Sequence, residues 1–374
     1  MTRTPTIPNL SPRTGRFVLL LLLVALFACV PCLSAQAALL LEEPYGAFGH
    51  LNPTGHAALY LEHVCADDPT HLRLCHPDEP GIVLSRYKDM AGYDWVAIPL
   101  IPYLYAVERP DQVPLRADAL TVSALRDRYR EAHLGELGDM LHPGGFFHGG
   151  WKELTGASYN RRIYAFRFNT TRQQDARLIA ALNAGSNQSH FSLLFNNCAD
   201  FDRFVLNNYF PGQFRRAVFP DLWMTTPKYV THRLLLLSKK HPEMCLEILE
   251  IPQIPGSRSN SHLNHGIAES LLKSGYVLPI VVLNPYVAGG LLADYLVEGR
   301  YHIVPRHPIL LDSENLAPLT DQSLTDSALT PSTIATDNPV DSSNGMNGAA
   351  NSEDTGSEPL LPKPVAIESG TNHE

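Results

Sequence analysis

The sequence predicts an α+β domain in which a short antiparallel sheet packs against helices. Residues 38–112 contain several short strand-like segments, among them HAALYLEHVC and GIVLSRY, separated by turns rich in Gly, Pro and Asp. The later segment RRIYAFRF has the alternating pattern of a strand. The segments TVSALRDRYREAHL and TTRQQDARLIAALN have helical spacing, and the second begins with a capping box from Thr171 to Gln174. One segment, DWVAIPLIPYLYAV, contains two prolines and is predicted as strand or loop rather than helix.

The composition is that of a globular protein. The chain has 374 residues, of which 44% are hydrophobic and 18% are charged. That length and balance allow one large domain or two small ones with a proper core. The formal net charge of −9 argues against nucleic acid as the main partner.

Residues 1–37 are predicted to be a signal peptide. A basic, polar start is followed by the apolar run FVLLLLLVALFACVPCL and an A-x-A cleavage site at Ala35-Gln36-Ala37. An uncleaved membrane anchor and lipidation at Cys29 are the alternatives. The expected location is therefore the periplasm or cell envelope, and association with a membrane is a further option.

Export changes what the cysteines are expected to do. Cys65 and Cys75 are close enough in sequence to staple a hairpin as a disulfide. Cys198 is then either bonded to Cys245 or free. The mature chain has no CxxC pair, no zinc-spaced set of Cys and His, and no phosphate-binding glycine loop.

Residues 216–311 are predicted to form a C-terminal extension of helix, strand and apolar segment. The apolar stretch 276–297 is long enough to span a bilayer, but it is interrupted by polar and proline residues. These are Pro279, Asn284, Pro285 and Asp294. A buried or surface-docked segment is the preferred interpretation, and membrane association is the alternative. Residues 312–374 are rich in Ser, Thr, Asn, Asp, Glu, Pro and Gly and should be disordered.

The stretch SLLFNNCADFDRFVLNNYF places Cys198 at the start of a predicted helix. Phe201 and Val205 lie on or near the face of Cys198 and would bury that helix against a sheet. A thiol in the first turn faces unpaired backbone N–H groups and the positive end of the helix dipole. This environment is expected to favour the thiolate and to supply donors for an oxyanion.

His56 is the best placed of the sixteen histidines to serve such a thiol as a base. It follows Gly55 at the start of the alternating strand HAALYL, and a histidine there can face the start of a neighbouring helix. His63 has the opposite strand parity. On spacing alone, a lone histidine on a strand is more often structural.

The motif TGHAALYL, followed much later by FNNCADF, resembles the permuted branch of the NlpC-type papain-like thiol enzymes, which includes the lecithin:retinol acyltransferase-like proteins. More specifically, the chain is similar to a family of bacterial periplasmic domains found in lipoprotein N-acyl transferases, where a similar run ends in NNC. The segment YNRRIYAFRFNTTRQQDARLIAALN is similar to the strand and helix that precede the cysteine there. The resemblance covers about residues 45–215, and the predicted domain spans 38–215.

This resemblance implies a permuted papain-like fold in which Cys198 is the nucleophile and His56 the general base. The backbone N–H of Cys198 would contribute to an oxyanion hole. Asn197 could add a side-chain contact there, but a capping or turn role is the preferred interpretation. Tyr45 could line the cleft or simply pack.

The resemblance also implies a polar residue on the strand after the histidine that orients the imidazole. Three residues lie in that region of the sequence: His71, His76 and Glu79. Of these, His76 is the predicted third member.

The resulting hypothesis is an exported thiol enzyme that works through an acyl-cysteine intermediate. With water as the acceptor it is a peptidase, amidase or esterase, and with an amine or hydroxyl it is an acyltransferase. The expected substrate is a membrane lipid, a lipoprotein or a cell-wall peptide, and no cofactor is needed for thiol acyl transfer. The alternative is a non-catalytic binding or scaffold domain of the envelope that retains the fold. A metal hydrolase is disfavoured because the sequence has no HExxH motif.

Overall fold

A seven-stranded sheet organises the part of the chain that the computed structural model describes. That part comprises residues 36–46, 54–77, 79–137, 141–142, 146–147, 149–216, 224–256, 260–267, 269–270, 284–298, 303–305, 307–311, 313 and 316. All of it belongs to the first of two compact units, residues 1–329.

The strands pair almost entirely in antiparallel fashion, so the chain is mixed α and β as predicted. The strands are β1 (Gln36–Glu42), β2 (His56–Leu61), β3 (Val64–Asp68), β4 (His71–Leu74), β5 (Ile82–Ser85), β6 (Val96–Pro99), β7 (Leu141–His142), β8 (Phe146–Phe147), β9 (Ile163–Asn169), β10 (Glu247–Ile251) and β11 (Ile309–Leu310). The large sheet has the order β11-β10-β9-β1-β2-β5-β6, and only its β10–β11 pair is parallel. Strands β3 and β4, and strands β7 and β8, form two small separate hairpins.

Six α-helices accompany these strands in the described residues. They are α1 (Leu100–Tyr105), α2 (Ala119–His133), α3 (Arg172–Asn183), α4 (Cys198–Tyr209), α5 (Pro227–Lys240) and α6 (Pro285–Glu298). The capping box predicted from Thr171 to Gln174 is confirmed at the start of α3. Helix α1 was not expected, because its segment contains prolines. It forms because Pro99 precedes its first residue and Pro102 lies in its first turn, where a backbone N–H has no partner within the helix anyway.

Strand β1 lies at the centre of the sheet and is buried on both faces, which explains its continuous apolar sequence. Leu39 and Leu41 join the core formed with α3, α4 and α5, whereas Leu40 joins the core on the opposite face. The strand begins at Gln36, so it includes the last two residues of the predicted cleavage site. Residues 1–35 lie outside the described residues.

The C-terminal extension returns to the sheet rather than forming a separate layer. Strand β10 pairs with β9, and β11 pairs with β10, so both extend the sheet that carries His56. Residues 276–283 of the apolar segment lie outside the described part, and residues 285–298 form α6. Within the described residues, no helix has the length and apolarity needed to cross a membrane. The predicted tail lies outside the described residues except at positions 313 and 316.

Candidate active site

Helix α4 begins at Cys198 because Asn197 caps it. The Asn197 side chain accepts a hydrogen bond from the backbone N–H of Asp200 at 3.0 Å, and Asp200 completes a capping box. Cys198 is therefore the first residue of the helix. It is a free thiol with 9% of its surface exposed. Cys245 is disulfide-bonded, so it is not the partner of Cys198.

Asn197 is fully used by the fold. Its Nδ2 group donates to the carbonyls of Leu193 and Thr225, each at 2.9 Å. With Oδ1 bound to Asp200 as well, the amide has no free donor to direct at an oxyanion. The structure thus confirms the capping role, which the sequence analysis preferred for Asn197 over a contact to the oxyanion.

The sulfur of Cys198 lies at the seam between strands β2 and β5. Glu62 N–H donates to Gln36 O at 3.1 Å, so the even-numbered residues of β2 bond to β1 and the odd-numbered ones point their N–H groups towards β5. Pairing of β2 with β5 is confined to Leu59–Leu61. Among the described residues Ala57 has no paired residue on β5, and its N–H lies near the Cys198 sulfur, where it lowers the pKa of the thiol.

Burial determines the protonation state of this thiol. Burial is the largest cause, with a smaller contribution from the nearby Asp202 carboxyl, and together they raise the pKa of Cys198 to about 12. The N–H groups of Ala57 and Ala199 act in the opposite direction but are outweighed. The sequence-based expectation that the helix N-terminus favours the thiolate is therefore wrong for the resting protein, because desolvation is the larger effect.

His56 is held in place by two neighbours. Its ring stacks on Tyr87 with centroids 4.0 Å apart, and its Nε2 lies 3.0 Å from the Ser85 hydroxyl oxygen. Burial, followed by the charge of Arg161, lowers the pKa of His56 well below 6.5, so the imidazole is neutral at pH 7. Because Ser85 occupies Nε2, Nδ1 is the ring nitrogen left to act as a base.

The thiol and the imidazole flank a single peptide group. The Cys198 sulfur lies near the N–H of Ala57, which lowers the pKa of the thiol, and the preceding residue in the chain is His56. By strand parity Ala57 faces the core that contains α4, whereas His56 faces the opposite core, which includes Tyr87. The two groups therefore approach the open seam from opposite faces of the sheet.

The structure does not bring His76 to this seam. His76 follows β4 and is exposed, and its backbone N–H donates to Glu79 at 2.7 Å. The β3–β4 hairpin leaves β2 at its far end, where Cys75 N–H bonds to His63 O. His56 lies at the opposite end of β2.

The residue that contacts His56 is Ser85, which the sequence analysis did not single out. Ser85 ends the apolar strand β5 and is fully buried. The sequence signal for Ser85 was a hydroxyl residue at the end of the apolar run GIVLS. That Ser85 contacts His56 could not be predicted from sequence order, because the β3–β4 hairpin separates β2 from β5.

Tyr45 belongs to a buried ionic cluster on the His56 face of the sheet. Its hydroxyl donates to Glu153, and the Arg161 guanidinium lies 4.6 Å from the centre of its ring. Arg161 also pairs with Glu42 at 3.1 Å and with Glu153 at 2.7 Å. Tyr45 thus packs and hydrogen-bonds within this cluster, which also supplies the charge that depresses the pKa of His56.

Asp202 lies one helical turn beyond Cys198 and is completely buried. Neither of its carboxyl oxygens has a hydrogen-bond partner among the described residues. Burial raises its pKa well above 3.8, with the charge of Arg86 opposing the rise. Burial thus shifts the Asp202 carboxyl towards its neutral form, and sequence reasoning missed this residue because an Asp in a helix ordinarily faces solvent.

The Cys65–Cys75 pair forms a disulfide with a Cα–Cα distance of 4.8 Å. Among the described residues, these two sulfurs and Glu79 are the group with metal-ligand spacing. Since both sulfurs are in the disulfide, they are not available as thiolate ligands.

The sequence matches no family model, and neither the curated proteins nor the solved structures contain a match. The likeness to the permuted NlpC-type enzymes therefore rests on its two short motifs and the elements that flank them.

Proposed function

We propose that this chain is a cysteine-dependent acyl-transfer enzyme with a permuted papain-like fold, in which Cys198 is the nucleophile and His56 the general base. The observation that carries the proposal is the placement of a free thiol at the start of α4, near the N–H of the residue that follows His56. The His56 imidazole is oriented by Ser85 and Tyr87.

The resting pair is neutral, so proton transfer accompanies the attack. As the Cys198 sulfur bonds to the substrate carbonyl carbon, its proton passes to His56 Nδ1 and the carbonyl oxygen becomes an oxyanion. First-turn N–H groups of α4, including that of Cys198, are placed to stabilise this oxyanion. Collapse of the intermediate breaks the bond to the leaving group, which takes the proton from the imidazolium.

The second half of the reaction uses the same residues. The product of the first step is a thioester on Cys198. Water, an amine or a hydroxyl then attacks this thioester and gives its proton to His56, which returns a proton to the departing sulfur. The nature of this acceptor distinguishes a hydrolase from an acyltransferase.

An exported location supports an envelope substrate, namely a membrane lipid, a lipoprotein or a cell-wall peptide. The Cys65–Cys75 disulfide and the disulfide-bonded Cys245 are typical of an oxidising compartment. These disulfides and the N-terminal sequence support a periplasmic or cell-envelope location. No cofactor is required for the steps proposed.

A second candidate function is a non-catalytic binding domain of the envelope. It is favoured by the burial of Cys198 and by a thiol pKa of about 12, which are typical of a structural cysteine. In a binding domain, His56 and Ser85 would be two buried polar residues that hydrogen-bond to each other and have no catalytic role. The two candidates differ in whether an acyl group is ever carried on Cys198.

The test is to react the purified protein with an activated acyl ester and locate the adduct by peptide mass spectrometry. We expect a thioester on Cys198 that is absent in Cys198→Ser and forms on the order of a hundredfold more slowly in His56→Gln. His76→Ala is the matched control, since it removes an exposed histidine, and it should behave as wild type. No adduct, or an adduct indifferent to His56→Gln, would support the binding domain instead.

A further inference from the structure

A short loop immediately before Cys198 displays three consecutive large apolar side chains to solvent. Leu193, Leu194 and Phe195 are 55%, 46% and 55% exposed. Cys198 follows three residues later, so this surface borders the candidate active site. We call residues 192–196 the apolar loop.

The apolar loop is held firmly by its own polar groups. Ser192 and Asn196 exchange two backbone hydrogen bonds of 3.1 and 2.9 Å, and Asn196 Oδ1 accepts from Arg86 at 2.6 Å. The carbonyl of Leu193 accepts from Asn197, and that of Phe195 accepts from Arg216. The polar atoms thus face inwards while the apolar side chains face outwards, the reverse of an ordinary surface turn.

Arginines, rather than acidic residues, lie in the sequence segments that flank the apolar loop, in a chain whose formal net charge is −9. Residues 184–197 contain no acidic residue, and residues 203–216 contain three arginines and no acidic residue. The Arg216 guanidinium lies 5.8 Å from the centre of the Phe195 ring, and Arg215 is exposed. Asp200 is paired with Arg216 and Arg203.

We propose that the apolar loop docks the protein on an anionic phospholipid surface, with Leu193, Leu194 and Phe195 entering the interfacial region and the arginines facing lipid phosphates. This inference rests on the proposed function and names its substrate class, because docking would bring Cys198 to the acyl groups of lipids. Apolar side chains rimmed by arginine are suited to such an interface because burial and charge attraction add. A neutral lipid surface would bury the three apolar side chains but would not attract the arginines.

The experiment is co-sedimentation of the mature protein, without the apolar N-terminal segment, with vesicles of phosphatidylcholine alone and with vesicles that also contain phosphatidylglycerol. We expect strong binding only to the anionic vesicles. The variant Leu193→Ser/Leu194→Ser/Phe195→Ser should bind at least about tenfold more weakly, because three apolar side chains no longer enter the interface. Arg215→Gln should bind about fivefold more weakly and show less dependence on salt.

The matched control is Leu115→Ser/Leu120→Ser, which removes two leucines that are 85% and 81% exposed outside the loop. It should bind as wild type. Equal binding of the loop variant and wild type would overturn the proposal. So would loss of binding in a Tyr286→Ser/Leu292→Ser/Leu296→Ser variant of α6 with retention in the loop variant.

Cys198→Ser separates this inference from the proposed function. It should bind anionic vesicles as wild type does while forming no acyl adduct. A protein that forms the adduct but ignores vesicles refutes the docking inference alone. A protein that binds vesicles through the loop but never carries an acyl group refutes the enzyme and leaves a lipid-binding domain.

Discussion

Alkylation of Cys198 in the folded protein should be slow, in contrast to the rapid alkylation expected of a thiolate at a helix start. Burial is the main cause that raises the pKa of the thiol from an ordinary 9.0 to about 12. At neutral pH the thiolate fraction is then about a thousandfold lower than in the unfolded chain. Since the thiolate is the reactive species, the rate with iodoacetamide should fall by a similar factor.

The assay compares alkylation of Cys198 by iodoacetamide, followed by mass spectrometry, in the native protein and in guanidinium across a range of pH. Asp202→Asn should accelerate the native reaction, because the Asp202 carboxyl raises the pKa of the thiol. Leu120→Ser, a substitution at an exposed site, serves as the control for general loosening. A native thiol that titrates below its ordinary pKa, and loses that property in His56→Gln, would refute the neutral pair and indicate a preformed thiolate–imidazolium pair.

Three further predictions concern the surroundings of the thiol and one buried acid. Asp175→Asn should stabilise the protein at pH 7 by on the order of 2 kcal/mol, because burial raises the pKa of Asp175 from 3.8 to about 6. The stability of the wild-type protein should therefore fall as the pH rises from 3.8 to about 6, and urea unfolding at those two pH values and at pH 7 measures this fall. Asn197→Ala should destabilise by about 2–3 kcal/mol in thermal or urea unfolding, since it removes the cap of α4 and leaves two carbonyls without their donor. Ser85→Ala should slow acyl-adduct formation about tenfold by freeing His56 to rotate, whereas Ser85→Thr should restore most of the rate.

Each of these outcomes can fail in a defined way. If Asp175→Asn gives the same pH dependence as wild type, the carboxyl is not the group that titrates. If Asn197→Ala costs no more than Asn208→Ala, a change at an exposed amide on the same helix, the cap is not important for stability. If Ser85→Ala unfolds no sooner and reacts as fast as wild type, Ser85 does not orient the imidazole.

Local patterns in the sequence predicted the elements that carry the site. The alternation after His56, the capping residue before Cys198 and the capping box at Thr171 are interactions between near neighbours in the chain, so one sequence is enough to predict them. The same holds for the strand at residues 163–169.

The features that were not predicted depend on contacts distant in sequence. The partner of His56 is set by where β5 stops pairing with β2, and the β3–β4 hairpin made His76 seem closer than it is. The protonation of Cys198 follows from burial by other elements, which opposes the local effect of the helix start. Gln36 was assigned to the cleaved segment on a short motif, although pairing with β2 and β9 makes it part of the central strand.

The Cys198 sulfur also borders the edge of strand β2. The N–H of Ala57 lies near this sulfur and lowers the pKa of the thiol, at a point of β2 that is not paired with β5. Under the proposed function, an acyl group on the sulfur would weaken this contact, because a thioester sulfur is a weaker acceptor. Hydrogen exchange at the Ala57 amide would then report whether Cys198 carries an acyl group, without any label on the substrate.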